Sequence, residues 1–478
     1  MDFIWGYTPD EIRPFPALTY QLAALAGAAS PVLNHAINIA CHAVNGVLVL
    51  GIARAAGLAV PAAALAGIAF VVLPVQAETV AWVTGRVDSL PALFYLAAFL
   101  LYVRSGSGSD RRRYLWSLAM FVIALFSKQN TITLGPALVL YDLVVTGERP
   151  RPAWSWMRRY VPYALLTLGY LGLRYVIFGE VAREGTLTAE RLGYVAADAA
   201  RHLQHIVLGA VDVIPGVQLA MCVAAAIVAV VALSWRAGAT GMPALFRVAL
   251  YFGVVWMALG IAPTLVAGYA SPRHVYLASV GWAVLLGVGV ELSWRARPSR
   301  VFKTIAAAAV AALLAMYVVR LHRVVDDWGV RTSVSQAAVR DLEREALAAP
   351  EGTLIIVGMP ARSWEYSLPF AARPPFTRAD VTRRVSLVYH AALHCCSATQ
   401  WDEAMRAAMQ CWQAHAERPP VIALYWNPRT GRMTRVSDRD EPYLRSLIDV
   451  FLSARSVAAM NRAIDTTLEE LVAPREQR

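Results

Sequence analysis

The sequence predicts an α-helical polytopic membrane protein that ends in a small soluble α/β domain. Three observations carry this. Hydrophobic residues make up 58% of the 478 and charged residues only 16%, against about a quarter charged in a typical soluble domain. Charge-free runs long enough to cross a bilayer recur along the first two thirds of the chain. Beyond Ser335 charges rise and apolar runs shrink to strand length.

Taking about 17–25 apolar residues as the span template, and tolerating shorter buried ones, gives roughly ten spans. They are Pro31–Ala53, Ala59–Pro74, Ser89–Val103, Tyr114–Ser127, Thr131–Val145, Tyr160–Ile177, Val217–Trp235, Val248–Val266, Val275–Val290 and Thr304–Val319. Two further segments read as interfacial helices. Arg13–Ala28 is moderately apolar and opens on a proline turn. Tyr194–Ile214 carries Asp198, Arg201, His202, His205 and Asp212, too many polar groups for a crossing.

The formal net charge of +11 does not point to nucleic acid, because the arginines cluster at the ends of apolar segments. Arg54, Arg104, Arg111, Arg112, Arg113, Arg158, Arg159, Arg295 and Lys303 fall on one side if the loop around Glu78 lies on the other. That bias places the Glu78 loop outside the cytoplasm. Met1–Glu11 shows neither a basic start nor an apolar run, so no cleavable signal is expected there. The division falls at 1–334 and 335–478. In the second part, Thr353–Gly358 reads as a buried strand. Pro420–Trp426 and Met433–Val436 flank the turn sequence NPRTG as a hairpin, and Trp401–Arg418 and Glu441–Val472 read as helices. By the same topology this domain is extracytoplasmic, where Cys395-Cys396 and Cys411 are free to form a disulfide.

The stretch Leu73–Asp88 (LPVQAETVAWVTGRVD) puts Glu78, Arg86 and Asp88 in one short polar loop between two charge-free segments. Ionisable groups pinned at a membrane face are functional candidates by default. A carboxylate there suits a general base, and the arginine suits an anionic group. The competing reading is an ion-pair network that closes the loop. Lys128 (FSKQN), Arg174 (LGLRYVIFG) and Arg273-His274 (SPRHVYLASVGW) fall at the outer ends of other spans. Together they would make a phosphate site; singly, each is an interfacial anchor. His35, Asn38, His42 and Asn45 share one helical face through spacings of three and four. A polar packing seam between helices explains that face better than a metal or substrate site. No metal site is assigned.

These stretches, in order, resemble the GT-C superfamily of polytopic glycosyltransferases. The nearest branch holds the transmembrane and tetratricopeptide-repeat O-mannosyltransferases and their bacterial relatives. The matching stretches are RPFPALTYQL, HAINIACHAVN, PVQAETVAWVTGRVDSLPALF, ALFSKQNTITLGPALVLYDL and PRHVYLASVGW, covering most of Arg13–Trp328. The resemblance implies a polyprenyl-phosphate-linked sugar as donor. It also implies an extracytoplasmic glycan, lipid or protein acceptor, membrane lipids as surroundings, and residence in a bacterial inner membrane. It assigns Glu78 and Asp88 as the acids. Arg86, Lys128, Arg273 and Arg174 become donor-phosphate residues, and His35, Asn38, His274 and Tyr276 substrate contacts. The family usually carries one more span and an acidic pair ahead of the point where this chain starts, so a shortened chain is expected. Leu73, Gln76 and Gln129 stand where the family carries histidines and a glutamate, which argues against a metal-assisted mechanism. The alternative is a non-catalytic relative acting as a binding or assembly partner in envelope glycan synthesis. A lipid-substrate transporter is the weakest reading, since no internal repeat is visible.

Overall fold

The computed structural model describes residues 12–26, 31–106, 108–147, 153–179, 181, 189–208, 242–267, 271–295, 300–359, 368–374, 376–389, 398–415, 417–436 and 441–476. The expected span Val217–Trp235 lies outside them, as do Asp2, Asp10, Glu11, Cys395 and Cys396. The chain divides into two compact units, Met1–Asp326 and Asp327–Arg478.

The first unit is helical. Its helices are α1 (Pro14–Leu25), α2 (Pro31–Ala55), α3 (Val60–Val72), the short α4 (Ala77–Ala81), α5 (Arg86–Arg104), α6 (Arg111–Leu125), α7 (Leu134–Tyr141), α8 (Ala153–Phe178), α9 (Ala189–Leu208), α10 (Met242–Leu250), α11 (Met257–Ala267) and α12 (Ser279–Arg295). The long α13 (Arg300–Ala348) begins here. Five helices among the described residues are long and apolar enough to cross a membrane, or six if the bent pair Val60–Val72 and Pro74–Ala81 is one span. The chain is read accordingly as an integral membrane protein.

The sequence dictates several boundaries directly. Pro14 and Pro61 open α1 and α3, where a missing N–H costs nothing. Gly57 ends the α2 region at φ +98°, a conformation that glycine adopts freely. Asp110 caps α6 by accepting from the backbone N–H groups of Arg112 and Arg113. The core is a cluster of small and aromatic side chains, among them Ala62, Ala66, Phe70, Phe99, Tyr251 and Trp256. Small residues let helices approach closely where lipid supplies no hydrophobic drive.

One correction concerns the polar loop. Arg86 and Asp88 do not lie in a loop; they form the first turn of α5. The helix starts three residues before the expected span because burial by neighbouring helices, rather than lipid, surrounds these side chains.

The second unit holds a four-stranded sheet of order β2-β1-β3-β4, built from β1 (Leu354–Gly358), β2 (Ser386–Tyr389), β3 (Val421–Asn427) and β4 (Arg432–Arg435). β1 runs parallel to β2 and β3, with Leu354 opposite Ser386 and Val421. β4 is antiparallel to β3, as the NPRTG turn requires. All five residues of β1 are buried, as a central parallel strand demands. The short helix α14 (Leu368–Ala371) and the helices α15 (Ala398–Ala414), α16 (Glu441–Ser453) and α17 (Val457–Glu476) accompany the sheet. The last part of α13 contributes Ala338, Leu342 and Ala346 to this unit's core.

Candidate active site

The chain bends by 47° at Leu73 and continues through α4 into α5. Its backbone is held from several sides. Asn38 on α2 donates to the carbonyls of Val80, Trp82 and Val83 at 3.0–3.3 Å. Tyr20 on α1 donates to Val83 O at 3.1 Å. Gln76 donates to Ser279 Oγ at 2.8 Å. At Gly85 an added Cβ would lie 2.3 Å from the Thr79 carbonyl oxygen, so the turn into α5 closes only with glycine.

This frame sets out the acids. Asp88, in the first turn of α5, pairs through Oδ1 with the ammonium of Lys128, which sits in the turn after α6. Asp88 Oδ2 has no hydrogen-bond partner among the described residues. Glu78 is half-buried on α4. Its Oε1 accepts from Ser271 Oγ at 2.6 Å and lies 3.9 Å from Arg273 Nε. Its Oε2 accepts from the Arg273 backbone N–H at 3.4 Å. The Arg273 guanidinium covers the Trp82 ring at 4.4 Å from its centroid.

Lys128, Arg273 and His274 therefore gather at one end of the unit with Asp88 and Glu78. Burial pulls the Lys128 ammonium below its ordinary pKa; the Asp88 carboxylate opposes that shift, while Arg13 and Arg273 add to it. Burial, helped by the positive charge of Lys128, pushes His274 down to about 3. It is thus a neutral imidazole at physiological pH, and the positive charge of the site comes from lysine and arginine.

Arg13 was not singled out as a site residue in the sequence. It donates to Gln129 at 3.4 Å and belongs to the electrostatic surroundings of Lys128. Its position just ahead of Pro14, at the mouth of an interfacial helix, was the available signal. His202 and His205 on α9 are buried, and His202 belongs to the surroundings of His274.

The other expected residues are placed differently. Arg86 is fully buried and spends four N–H groups on neutral acceptors: Asn38 Oδ1 at 2.9 Å, Thr19 Oγ1 at 3.1 Å, Asn34 O at 3.0 Å and Asn34 Oδ1 at 2.9 Å. It also covers the Tyr20 ring at 4.5 Å. It clamps α1 and α2 to α5. Tyr276 is buried with its hydroxyl 2.8 Å from His42 Nδ1 and 2.9 Å from Asn45 Nδ2. His42 also reaches Val71 O at 3.1 Å, and Asn45 donates to Ser89 O at 2.9 Å. Asn38, His42 and Asn45 thus form a polar packing seam of α2 against its neighbours. Arg174 donates to Val181 O at 3.0 Å and lies 5.2 Å over the Phe178 ring, both at its own end of α8. His35 is partly exposed on α2. Among the described residues no group of three or more His, Cys, Asp or Glu side chains is arranged to hold a metal ion.

Comparison with known proteins gives partial matches. A stretch of 138 residues is 32% identical to protein O-mannosyl-transferase TMTC3 of Homo sapiens, covering 28% of this chain and 15% of that protein. Protein O-mannosyl-transferase TMTC4 of Homo sapiens is 32% identical over an alignment of 157 positions that covers 28% of this chain and 21% of that protein. Protein O-mannosyl-transferase Tmtc1 of Drosophila melanogaster is 32% identical over 131 residues, 27% of this chain and 15% of that protein. The matched stretch spans about a fifth or less of the length of these relatives. They belong to the group that the ordered sequence stretches resemble. No family model matches the chain, and no solved structure matches it.

Proposed function

We propose that the chain is a membrane glycosyltransferase that moves a sugar from a polyprenyl-phosphate donor to an acceptor outside the cytoplasm. One observation carries this reading: Glu78, Asp88, Lys128 and Arg273, drawn from three distant parts of the chain, meet at one end of the helical unit. The similarity to O-mannosyl-transferases supplies the reaction class.

The chemistry needs two things, and the residues provide both. Breaking the bond between sugar and lipid phosphate leaves negative charge on the phosphate. Cations fixed in place beforehand stabilise that charge more in the transition state than in the ground state. Lys128 and Arg273 are in this role, with Arg13 adding positive potential. The acceptor hydroxyl must lose its proton as it attacks the sugar carbon. Asp88 Oδ2 has lone pairs that no donor among the described residues occupies, which suits a general base. Glu78 holds the Ser271–Arg273 turn, and so sets where the Arg273 guanidinium stands.

Replacing Asp88 tests this. Asp88→Asn keeps the shape and removes the base. In membranes supplied with polyprenyl-phosphate sugar, we expect sugar transfer to fall about 10²–10⁴-fold. Unchanged transfer removes Asp88 from the chemistry. A second reading, a non-catalytic relative that keeps the donor pocket, is favoured by the closed Asp88–Lys128 pair. It predicts that the wild-type chain binds the donor and transfers nothing.

A further inference from the structure

A cavity of about 280 Å³ opens between α3, α12 and the first part of α13. Leu65, Val290, Trp294, Ala307, Val310 and Leu314 line it. Its walls are almost wholly apolar: the hydroxyl of Ser293 already donates to Gly289 O at 2.8 Å, and the indole N–H of Trp294 at the rim is the other polar group. Around it α13 turns large apolar residues outward, with Val301 and Ile305 more than 60% exposed. The groove is therefore set in a surface built to face lipid.

One end of this groove is charged. Trp294 is half exposed at its rim, the position that indole side chains take at the bilayer interface. The Lys303 ammonium lies 5.7 Å over the Trp294 ring. Arg295 beside it is already paired with Glu291 at 2.8 Å. Lys303 has no carboxylate partner among the described residues, and Arg300 is exposed one helical turn before it. Ser279 and Arg295 stand at opposite ends of the 17-residue helix α12. At 1.5 Å per residue the charged rim is about 25 Å from the Arg273 turn. The groove is thus separate from the candidate active site, and its occupant does not depend on the proposed sugar chemistry.

We propose that this groove binds one anionic phospholipid of the surrounding bilayer, with an acyl chain along the Leu65–Leu314 walls and the headgroup phosphate at Lys303. A channel with almost wholly apolar walls favours an acyl chain over a polar ligand, and a cation with no carboxylate partner among the described residues, at an interfacial tryptophan, selects a negative head over a zwitterionic one. It also falls on the side where the arginine and lysine bias of the sequence places the anionic cytoplasmic leaflet.

Native mass spectrometry of the full chain, released from bilayers of phosphatidylglycerol and phosphatidylcholine in equal amounts, tests this. The wild type should retain one phosphatidylglycerol and exclude phosphatidylcholine. Lys303→Gln should lower phosphatidylglycerol retention about fivefold, the effect of one basic residue near an anionic surface. Ala307→Trp should fill the groove and abolish retention of either lipid. Circular dichroism checks that Ala307→Trp folds, and if it does not, Lys303→Gln alone decides. Equal retention of both lipids, undiminished retention by Lys303→Gln, or a lipid-free dimer that Ala307→Trp disperses would each overturn the proposal.

Discussion

Asp88 in the helical unit and Asp341 in the α/β unit are both nearly inaccessible, with side chains 3% and 1% exposed. Their surroundings treat them in opposite ways. Asp341 is saturated. Arg432 donates to it through Nε at 2.8 Å and Nη2 at 2.5 Å, Arg344 through Nη1 at 2.9 Å and the Met433 backbone N–H at 3.0 Å. Among the described residues Asp88 has a single donor, Lys128, and an oxygen to which nothing donates. A carboxylate whose lone pairs are all used fastens a fold. One left half-satisfied in a buried setting is costly, and that cost is offset where a ligand completes the shell. A third carboxylate, Asp142, shows the structural solution inside the helical unit itself: it accepts from the hydroxyls of Tyr102 at 2.6 Å and Tyr160 at 2.8 Å.

The strongest way to break this contrast is to treat Asp88 as if it were another Asp341. If the pair with Lys128 were only a fastener, removing both charges at once would leave function intact. Lys128→Gln alone should lower sugar transfer about 10²–10³-fold, as the loss of one preorganised donor to a developing oxyanion does. Combining it with Asp88→Asn should recover thermal stability, since no unpaired buried charge remains. Transfer should stay lost. A double variant with normal transfer would place Asp88 in the same class as Asp341.

The converse experiment has a smaller expected effect. Asp341→Ala leaves the buried Met433 N–H without its acceptor and should cost about 1–3 kcal/mol. Hydrogen exchange should show that loss at β4 and in the last part of α13. A variant that keeps full protection there would show that Asp341 fastens nothing.

Much of this contrast was legible in the sequence, and what was not has physical causes. Apolar runs gave α2, α3, α5 and α6 to within about three residues, because lipid and core burial both select for them; α8 begins seven residues before its expected span. TLIIVG, PVIALYW and the NPRTG turn gave three of the four strands. The four-residue β2 was missed because so short a run carries no period. Lys128 and Arg273 were grouped from topology alone, and the structure brings them together. The role of Arg86 was not legible. Whether a guanidinium faces a phosphate or four neutral acceptors is decided by Thr19, Asn34 and Asn38, which come from other helices. For Arg13 the signal in RPFPALTYQL is only its place ahead of an interfacial helix; that it reaches Gln129 is decided by another part of the chain. The polar seam of His42 and Asn45 was legible as a face, but its partner Tyr276 was not.

The smallest predicted effect separates the two units by pH. His274 is held neutral by burial, and its pKa falls from 6.5 to about 3 on folding. His205 behaves alike, falling to about 4. As pH drops through 6.5 the unfolded chain takes up protons that the folded chain refuses, so the folded state loses ground. The stabilisation is complete above about pH 7 and declines from there toward 3. Between pH 7.5 and 5.5, His274 alone should account for about 1 kcal/mol of lost stability. In the α/β unit, Asp380 also loses its contribution on acidification, but only in a lower range. Its hydrogen bonds with Thr382 hold its pKa below 3.8, so its contribution persists until the pH falls below that value. Over pH 7.5 to 5.5 the helical unit should therefore weaken while the α/β unit holds. Thermal unfolding of the full chain in detergent, followed by hydrogen exchange in each unit, reads this directly. His274→Gln should flatten the pH slope of the helical unit and leave that of the other unit unchanged. An unaltered slope in that variant would mean that His274 is hydrated in the folded protein, and the dry, cation-rich site drawn around Lys128 would have to be redrawn with water in it.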